Sequence, residues 1–275
     1  MDLVNERIEC TNLSGQKTIH IELLEELGLG TFGMVYKAST GKNEFAVKFR
    51  LANAHIIKIY AQGVHKSKDF IVLELCTGGN LYELVQKFGD QDEAMLKTAS
   101  YQLVDAISYL HNRGIVHRDI KSDNVLLKKK ARSPEEVVVK LIDYGLSVEI
   151  DRNHASLKDF CGTLSNMAPE VLEGRLYTCQ CDIFSFAAML LFLLSKSLPE
   201  VFTNPSKSAL ISFYNDHTEE DLVSSLRIGY SVHCVDFLLA GLQLDPVIRI
   251  SANQMKIHRW FCDHGLTTHT RLINT

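Results

Sequence analysis

Thr77-Gly78-Gly79 divides the sequence into two stretches whose apolar residues follow different periods. Before it the chain reads as short strands. Ile19 to Gly28 leads into a glycine-rich turn, Met34 to Ala38 is rich in β-formers, Ser39-Thr40-Gly41-Lys42 is a turn, and Phe45 to Phe49 is another strand. His55 to Ala61 and Phe70 to Leu75 read as two more. After the break, Leu96, Ala99, Leu103, Ala106, Ile107 and Leu110 recur at helical spacing, and Gly114 stands where that helix should end. Val125-Leu126-Leu127 and Val137 to Ile142 read as a hairpin joined by a polar loop. The rest is helical with long loops. The expected class is α+β, with a small, mostly antiparallel β lobe, a hinge, and a larger α-helical lobe.

Composition narrows the partners. Of 275 residues, 46% are hydrophobic, enough for a substantial core. The formal net charge is -4, with 23% charged residues, so there is no electrostatic case for nucleic acid or a membrane surface. The one dense basic cluster, Lys128-Lys129-Lys130 with Arg132, reads as a solvated loop in preference to a docking patch. The seven cysteines include no CxxC pair, which predicts reduced thiols in a cytoplasmic or nuclear protein. Met1 to Gln16 is polar, with no signal-peptide core. The most apolar run, Ile183 to Leu194, is short of the ~17 residues that span a bilayer. A helix apolar on every face is expected in a core.

Gly28-Leu29-Gly30-Thr31-Phe32-Gly33 matches GxGxxG, a weak signal alone. A dinucleotide fold would open a helix here. Met34-Val35-Tyr36-Lys37-Ala38 favours a strand instead, so the setting is a flap whose amides close over phosphates. Lys48, in Ala46-Val47-Lys48, can hold phosphates as a point charge. The strong signal is His117-Arg118-Asp119-Ile120-Lys121-Ser122-Asp123-Asn124. Asp119 can accept the proton of a substrate hydroxyl, Lys121 can neutralise charge on a transferring phosphoryl group, and Asn124 can hold magnesium. Asp143, in Asp143-Tyr144-Gly145, offers a carboxylate to the same metal. Magnesium takes few protein oxygens beside phosphates and waters, which suits this pair.

Together with Ala168-Pro169-Glu170, these motifs stand in the order found in eukaryotic protein kinases, and the chain resembles that family from about Ile21 to Phe261. The resemblance implies a two-lobed kinase domain over residues 21–261. Residues 21–75 form the small lobe, 74–79 the hinge and 80–261 the large lobe, with an extension at 1–20 and a tail at 262–275. It implies ATP and Mg2+ as cofactors and protein substrates as partners. Leu27, Gly28, Gly30, Gly33, Val35, Ala46, Lys48, Glu74, Cys76 and Leu126 would surround the nucleotide, with Leu73 as gatekeeper. Asp182 looks like the buried acid that anchors the catalytic loop, and Arg249 like the partner of Glu170. Lys121 resembles serine/threonine kinases in preference to tyrosine kinases. Thr163, in Cys161-Gly162-Thr163, resembles the threonine that braces Asp119 and Lys121. Arg118 resembles the arginine that meets a phosphorylated activation loop. The phosphosite position is occupied by Asp159, a fixed charge that would be a partial substitute. Ser156 is the alternative as a true phosphosite.

The chain departs from the family in three places. Tyr144 replaces a phenylalanine, and its hydroxyl needs a partner if buried. Leu164-Ser165-Asn166 differs from the usual Pro-x-Tyr. Above all, six residues, Phe49 to Ala54, separate Lys48 from His55, where the family has a helix whose glutamate pairs with the lysine. Six residues cannot form a three-turn helix with its connections. They reach about 20 Å, one strand length, whereas a parallel crossover normally needs a dozen or more. Either the small lobe is shortened and distorted, or the sequence is a spliced or mispredicted product. A shortened lobe should expose apolar surface, which a regulatory partner or Met1 to Gln16 would cover, supplying an acid such as Glu6 or Glu9. Two readings follow: a serine/threonine kinase, weakened by the missing acid, or a pseudokinase acting as scaffold or allosteric partner.

Overall fold

A computed structural model describes residues 7–11, 18–30, 33–39, 44–48, 53–65, 68–88, 93–150, 156–195, 198–226 and 229–262. The chain divides into two compact units, Met1–Ala52 with Lys58–Glu74, and Asn53–Ile57 with Leu75–Thr275.

The described part of the first unit is strand. β1 (Arg7–Thr11), β2 (Thr18–Gly30), β3 (Gly33–Ser39) and β4 (Glu44–Lys48) form an antiparallel sheet in that order. β5 (Ile59–His65) and β6 (Lys68–Leu73) pair with each other as a separate two-stranded sheet. The sheet is thus divided where the six-residue connection falls, as its limited reach requires. Phe49 to Ala52 lie outside the described residues, so the expected lack of a helix is followed only to Asn53.

Two expectations need correction. The segment from His55 does not enter a strand until Ile59. Asn53–Ile57 instead docks on the second unit, where Leu141 donates its N–H to the His55 carbonyl at 2.7 Å and Ile57 donates to the Leu141 carbonyl at 3.1 Å. Ile56 and Ile57 are buried there, and Asn53 Nδ2 bonds Asp105 Oδ2 at 2.8 Å. The described part of the segment before Gln16, Arg7–Thr11, does not lie over a sheet face either. β1 extends the sheet edge, with Glu9 opposite His20. Three strand spacings, about 14 Å, separate β1 from β4, too far for Glu9 to meet Lys48. Glu6 lies outside the described residues.

The second unit is mostly helical. It contains α1 (Leu81–Phe88), α2 (Glu93–His111), the short strands β7 (Ile115–Val116), β8 (Val125–Leu127), β9 (Val139–Leu141) and β10 (Val148–Glu149), then α3 (Pro169–Leu172) and α4 (Gln180–Leu194). Six further helices follow: α5 (Glu200–Thr203), α6 (Lys207–Asp216), α7 (Glu219–Val223), α8 (Val232–Gly241), α9 (Ala252–Lys256) and α10 (Arg259–Cys262). All six apolar positions that marked α2 in the sequence are buried. α4 is buried on nearly every side, so a uniformly apolar helix here is a core element. No helix among the described residues is long and apolar enough to cross a membrane.

β8 and β9 form the hairpin whose ends carry Asn124 and Asp143. Its other end meets the later part of the segment read as the hinge: Thr77 N–H donates to the Lys128 carbonyl at 3.1 Å and Gly78 N–H to the Leu127 carbonyl at 3.0 Å. A Cβ on Gly78 would come within 2.4 Å of the Lys129 oxygen, so the approach requires glycine.

Candidate active site

The loop from His117 to Asn124 is held from below by α4. Asp182 is fully buried; its Oδ2 accepts the His117 N–H and its Oδ1 the Arg118 N–H, each at 2.8 Å. These bonds offset the cost of Arg118's left-handed backbone, φ 68°, a conformation that costs a non-glycine residue about 1–3 kcal/mol. His111, in the last turn of α2, places Nε2 2.9 Å from Asp182 Oδ2. Burial alone would lower the His111 pKa. The hydrogen bond and charge of Asp182, with a lesser contribution from Cys179, outweigh it and push the value up to about 9. Burial likewise raises the Asp182 carboxyl, but His111 and the His117 contacts bring it below the usual range.

Four residues singled out in the sequence meet here. Thr163 donates its hydroxyl to Asp119 Oδ1 at 2.6 Å and accepts from Lys121 Nζ at 3.0 Å. Lys121 Nζ also lies 2.9 Å from Asp119 Oδ2, and Asn124 Nδ2 donates to that oxygen at 3.0 Å and to the Asp119 carbonyl at 2.9 Å. Burial raises the Asp119 carboxyl, yet Lys121, Thr163 and Asn124 hold it below its ordinary value. It is a carboxylate at neutral pH. Thr163 reaches Asp119 because Gly162, φ 107°, lets the two segments touch: a Cβ there would lie 2.5 Å from the Arg118 oxygen.

Asp143 follows β9 and also has a left-handed backbone, φ 62°. Gly145 N–H donates to its Oδ1 at 3.2 Å, and Ile142 N–H bonds the Asn124 carbonyl at 2.9 Å, bringing the two metal candidates to adjacent positions. With Nδ2 committed to Asp119, Oδ1 is the atom Asn124 has to offer a cation. Tyr144 is buried, and its hydroxyl finds the Leu141 carbonyl at 3.4 Å while its ring meets His117 edge-on. The phenylalanine site thus accepts a tyrosine with its polar atom partnered.

Arg118 turns its guanidinium toward residues 146–177. Nε donates to the Leu146 carbonyl at 2.6 Å, and Nη1 to Asp159 Oδ2 at 3.1 Å and the Tyr177 hydroxyl at 3.4 Å. Tyr177 donates in turn to the Asp159 carbonyl at 2.8 Å, and pairs its backbone with Leu157 in both directions. Ser156 is exposed and precedes this pairing. Deeper still, Arg249 forks onto Glu170 at 2.6 and 3.0 Å, both side chains buried.

The other nucleotide candidates are described less fully. Gly30 pairs with Gly33, Gly28 with Val35, and Val35 with Lys48, which is the strand–turn–strand setting expected of the flap. Leu27 falls in the bulge between Glu26 and Gly28. The side chains of these residues and of Ala46 lie outside what is described. In the first unit, Glu74 N–H donates to the Lys58 carbonyl at 2.8 Å. Leu73 is half-exposed, Cys76 partly buried, and Leu126 sits half-buried in β8. His111 and Tyr177 were not distinguished by the sequence: a histidine in a helix and a tyrosine in a loop carry no local signal of a distant partner.

A family model for the protein kinase domain matches residues 39–261. Serine/threonine-protein kinase 33 of Bos taurus is 30% identical over 272 residues, covering 88% of this chain and 55% of that protein. CBL-interacting protein kinase 26 of Oryza sativa subsp. japonica is 30% identical over 253 residues, 91% of this chain and 48% of that one. Calcium-dependent protein kinase 5 of Plasmodium berghei (strain Anka) is 26% identical, covering 94% and 48%. The chain belongs to the eukaryotic protein kinase family, serine/threonine type. It spans about half the length of these relatives.

Proposed function

We propose that this chain transfers the γ-phosphate of ATP to serine and threonine hydroxyls of protein substrates. The observation that supports this best is the Asp119 carboxylate, fixed by Thr163, Lys121 and Asn124 with both oxygens oriented. In phosphoryl transfer little covalent chemistry falls to the protein, so positioning and charge are what it must supply. Asp119 receives the proton of the attacking hydroxyl. Lys121, already bound to Asp119 and Thr163, carries the positive charge nearest that hydroxyl.

Asn124 Oδ1 and the Asp143 carboxylate are the oxygens that would hold Mg2+, and two hard ligands with phosphates and water satisfy that ion. ATP with Mg2+ supplies the transferable phosphoryl group and neutralises its charge. Lys48 and the amides of Gly28 to Gly33 would hold the phosphates, with Leu27, Val35, Ala46, Glu74, Cys76 and Leu126 around the base; these roles rest on the family resemblance. Asp159 serves Arg118 as a built-in anion, which keeps residues 157–163 in place without an upstream kinase.

The test is incubation with γ-labelled ATP, Mg2+ and peptides that carry serine, threonine or tyrosine, followed by phosphoamino-acid analysis. Label on serine and threonine is expected. Label on tyrosine alone, or none on any peptide, overturns the assignment.

A further inference from the structure

Phe160 stands three residues before Thr163 and is half-exposed. The ammonium of Lys207, the first residue of α6, lies 4.4 Å from the centre of its ring. An ammonium is drawn to the negative face of an aromatic ring, and here that contact is made at the surface, with Lys207 itself exposed. Lys207 occupies a position that its own helix disfavours. The N-terminal end of a helix carries partial positive charge, and the first turn of α6 contains no acid to offset the lysine. A local rule broken at an exposed position points to a charge that serves something outside the element.

The lysine is held in a fixed relation to the catalytic loop. Ser206 caps α6 by accepting the Ala209 N–H at 3.3 Å, Leu210 and Tyr214 are buried, and the Tyr214 ring meets Phe184 of α4 edge-on at 5.6 Å. α4 is also the helix whose Asp182 holds the loop that carries Asp119. The path from base to lysine is short. Thr163 bonds Asp119 at 2.6 Å, and three residues of chain reach at most about 11 Å. An extended peptide that runs along residues 160–163 with its hydroxyl at Asp119 therefore passes Phe160 within about four residues. Positive charge is in excess along that path. Lys158 and Lys207 are exposed, while the one acid of residues 156–163, Asp159, gives its Oδ2 to Arg118 at 3.1 Å.

We infer that Lys207 and Phe160 form a substrate subsite that selects peptides with an aspartate or glutamate within about four positions of the phosphorylated hydroxyl. The substrate carboxylate pairs with the Lys207 ammonium, and the methylenes beside that carboxylate lie against the exposed part of the Phe160 ring. The role of the hydroxyl rests on the proposed function; the preference for an acid is a property of binding and is measured without transfer.

The test is equilibrium binding of fluorescent serine peptides to the full chain, read by anisotropy with Mg2+ and a non-transferable ATP analogue present. Each peptide is neutral apart from one Glu, Gln or Lys, placed in turn at each of the four positions on either side of the serine. At one position, or two adjacent ones, the Glu peptide should bind about two- to fivefold more tightly than its Gln counterpart, and salt should shrink that ratio. Lys207→Gln should remove the preference, and Lys207→Glu should reverse it in favour of Lys, a gain that also shows the variant folds. The proposal is overturned by equal binding of Glu and Gln peptides at all eight positions, or by an acid preference that survives Lys207→Glu. Transfer from ATP to the same peptides is scored separately. An acid preference without transfer overturns the proposed function and supports the subsite; transfer without a preference overturns the subsite alone.

Discussion

Arg118 Nη1 lies 3.1 Å from Asp159 Oδ2, joining the catalytic loop to the segment that carries Thr163. The Asp159 side chain is 75% exposed, so salt screens the pair. An exposed pair contributes about 0.2–1 kcal/mol. Asp159→Ala should therefore lower kcat/KM by roughly two- to fivefold, with the larger loss at low ionic strength. Ser156→Ala should leave activity unchanged. The assignment fails if Ser156→Ala abolishes activity while Asp159→Ala does not reduce it.

Thr163 is bound to both Asp119 and Lys121. A hydrogen bond to a charged group is worth about 1.5–3 kcal/mol. Thr163→Val removes both contacts while nearly conserving volume, so kcat should fall by roughly ten- to a hundredfold. Thr163→Ser keeps the hydroxyl and should recover most of it. A loss in Thr163→Ser that Thr163→Val does not show would mean that the methyl group, not the hydroxyl, is what matters.

His111 makes stability depend on pH. Its folded pKa, about 9, lies above its ordinary 6.5, so its contribution is fully present below pH 6.5 and is lost as pH rises through 9. The Asp182 carboxyl is shifted down, so its contribution is present above the ordinary carboxylate range and lost as acid is added. Replacing His111 with Gln should flatten the decline in denaturation free energy between pH 6.5 and 9 and lower stability below it. An unchanged slope across that window would mean that the histidine is not charged in the native state.

Much of this architecture can be read in the sequence because its signals are local. The eight-residue catalytic loop, the two-residue step from Asp119 to Lys121, and the period of α2 all lie within one element. The six-residue interval after Lys48 predicted a disturbed sheet, because reach is a property of chain length alone. What the interval could not show was where the disturbance goes: Asn53–Ile57 binds the second unit through Leu141, a contact more than eighty residues away in sequence. β1 was legible in part: Arg7-Ile8-Glu9-Cys10-Thr11 alternates polar and apolar residues, but only over five positions in a polar stretch, and pairing with β2 sets it in the sheet. The division of labour around Arg118 was half legible. Asp159 was found by counting from Thr163, whereas Tyr177 is brought in by backbone pairing with Leu157.

The most direct test of the account is single-turnover transfer from ATP to a serine peptide, comparing the wild-type chain with Asp119→Asn and Asp143→Asn. Asparagine at 119 keeps most contacts with Thr163 and Asn124 geometrically feasible but cannot take the proton of the hydroxyl. Transfer should fall to background while nucleotide binding and the melting temperature change little. Asp143→Asn removes a metal ligand, so it should chiefly weaken Mg2+-dependent nucleotide binding. A burst in the wild-type chain that Asp119→Asn abolishes is the predicted result; a burst that survives Asp119→Asn, or none in the wild type, contradicts the account.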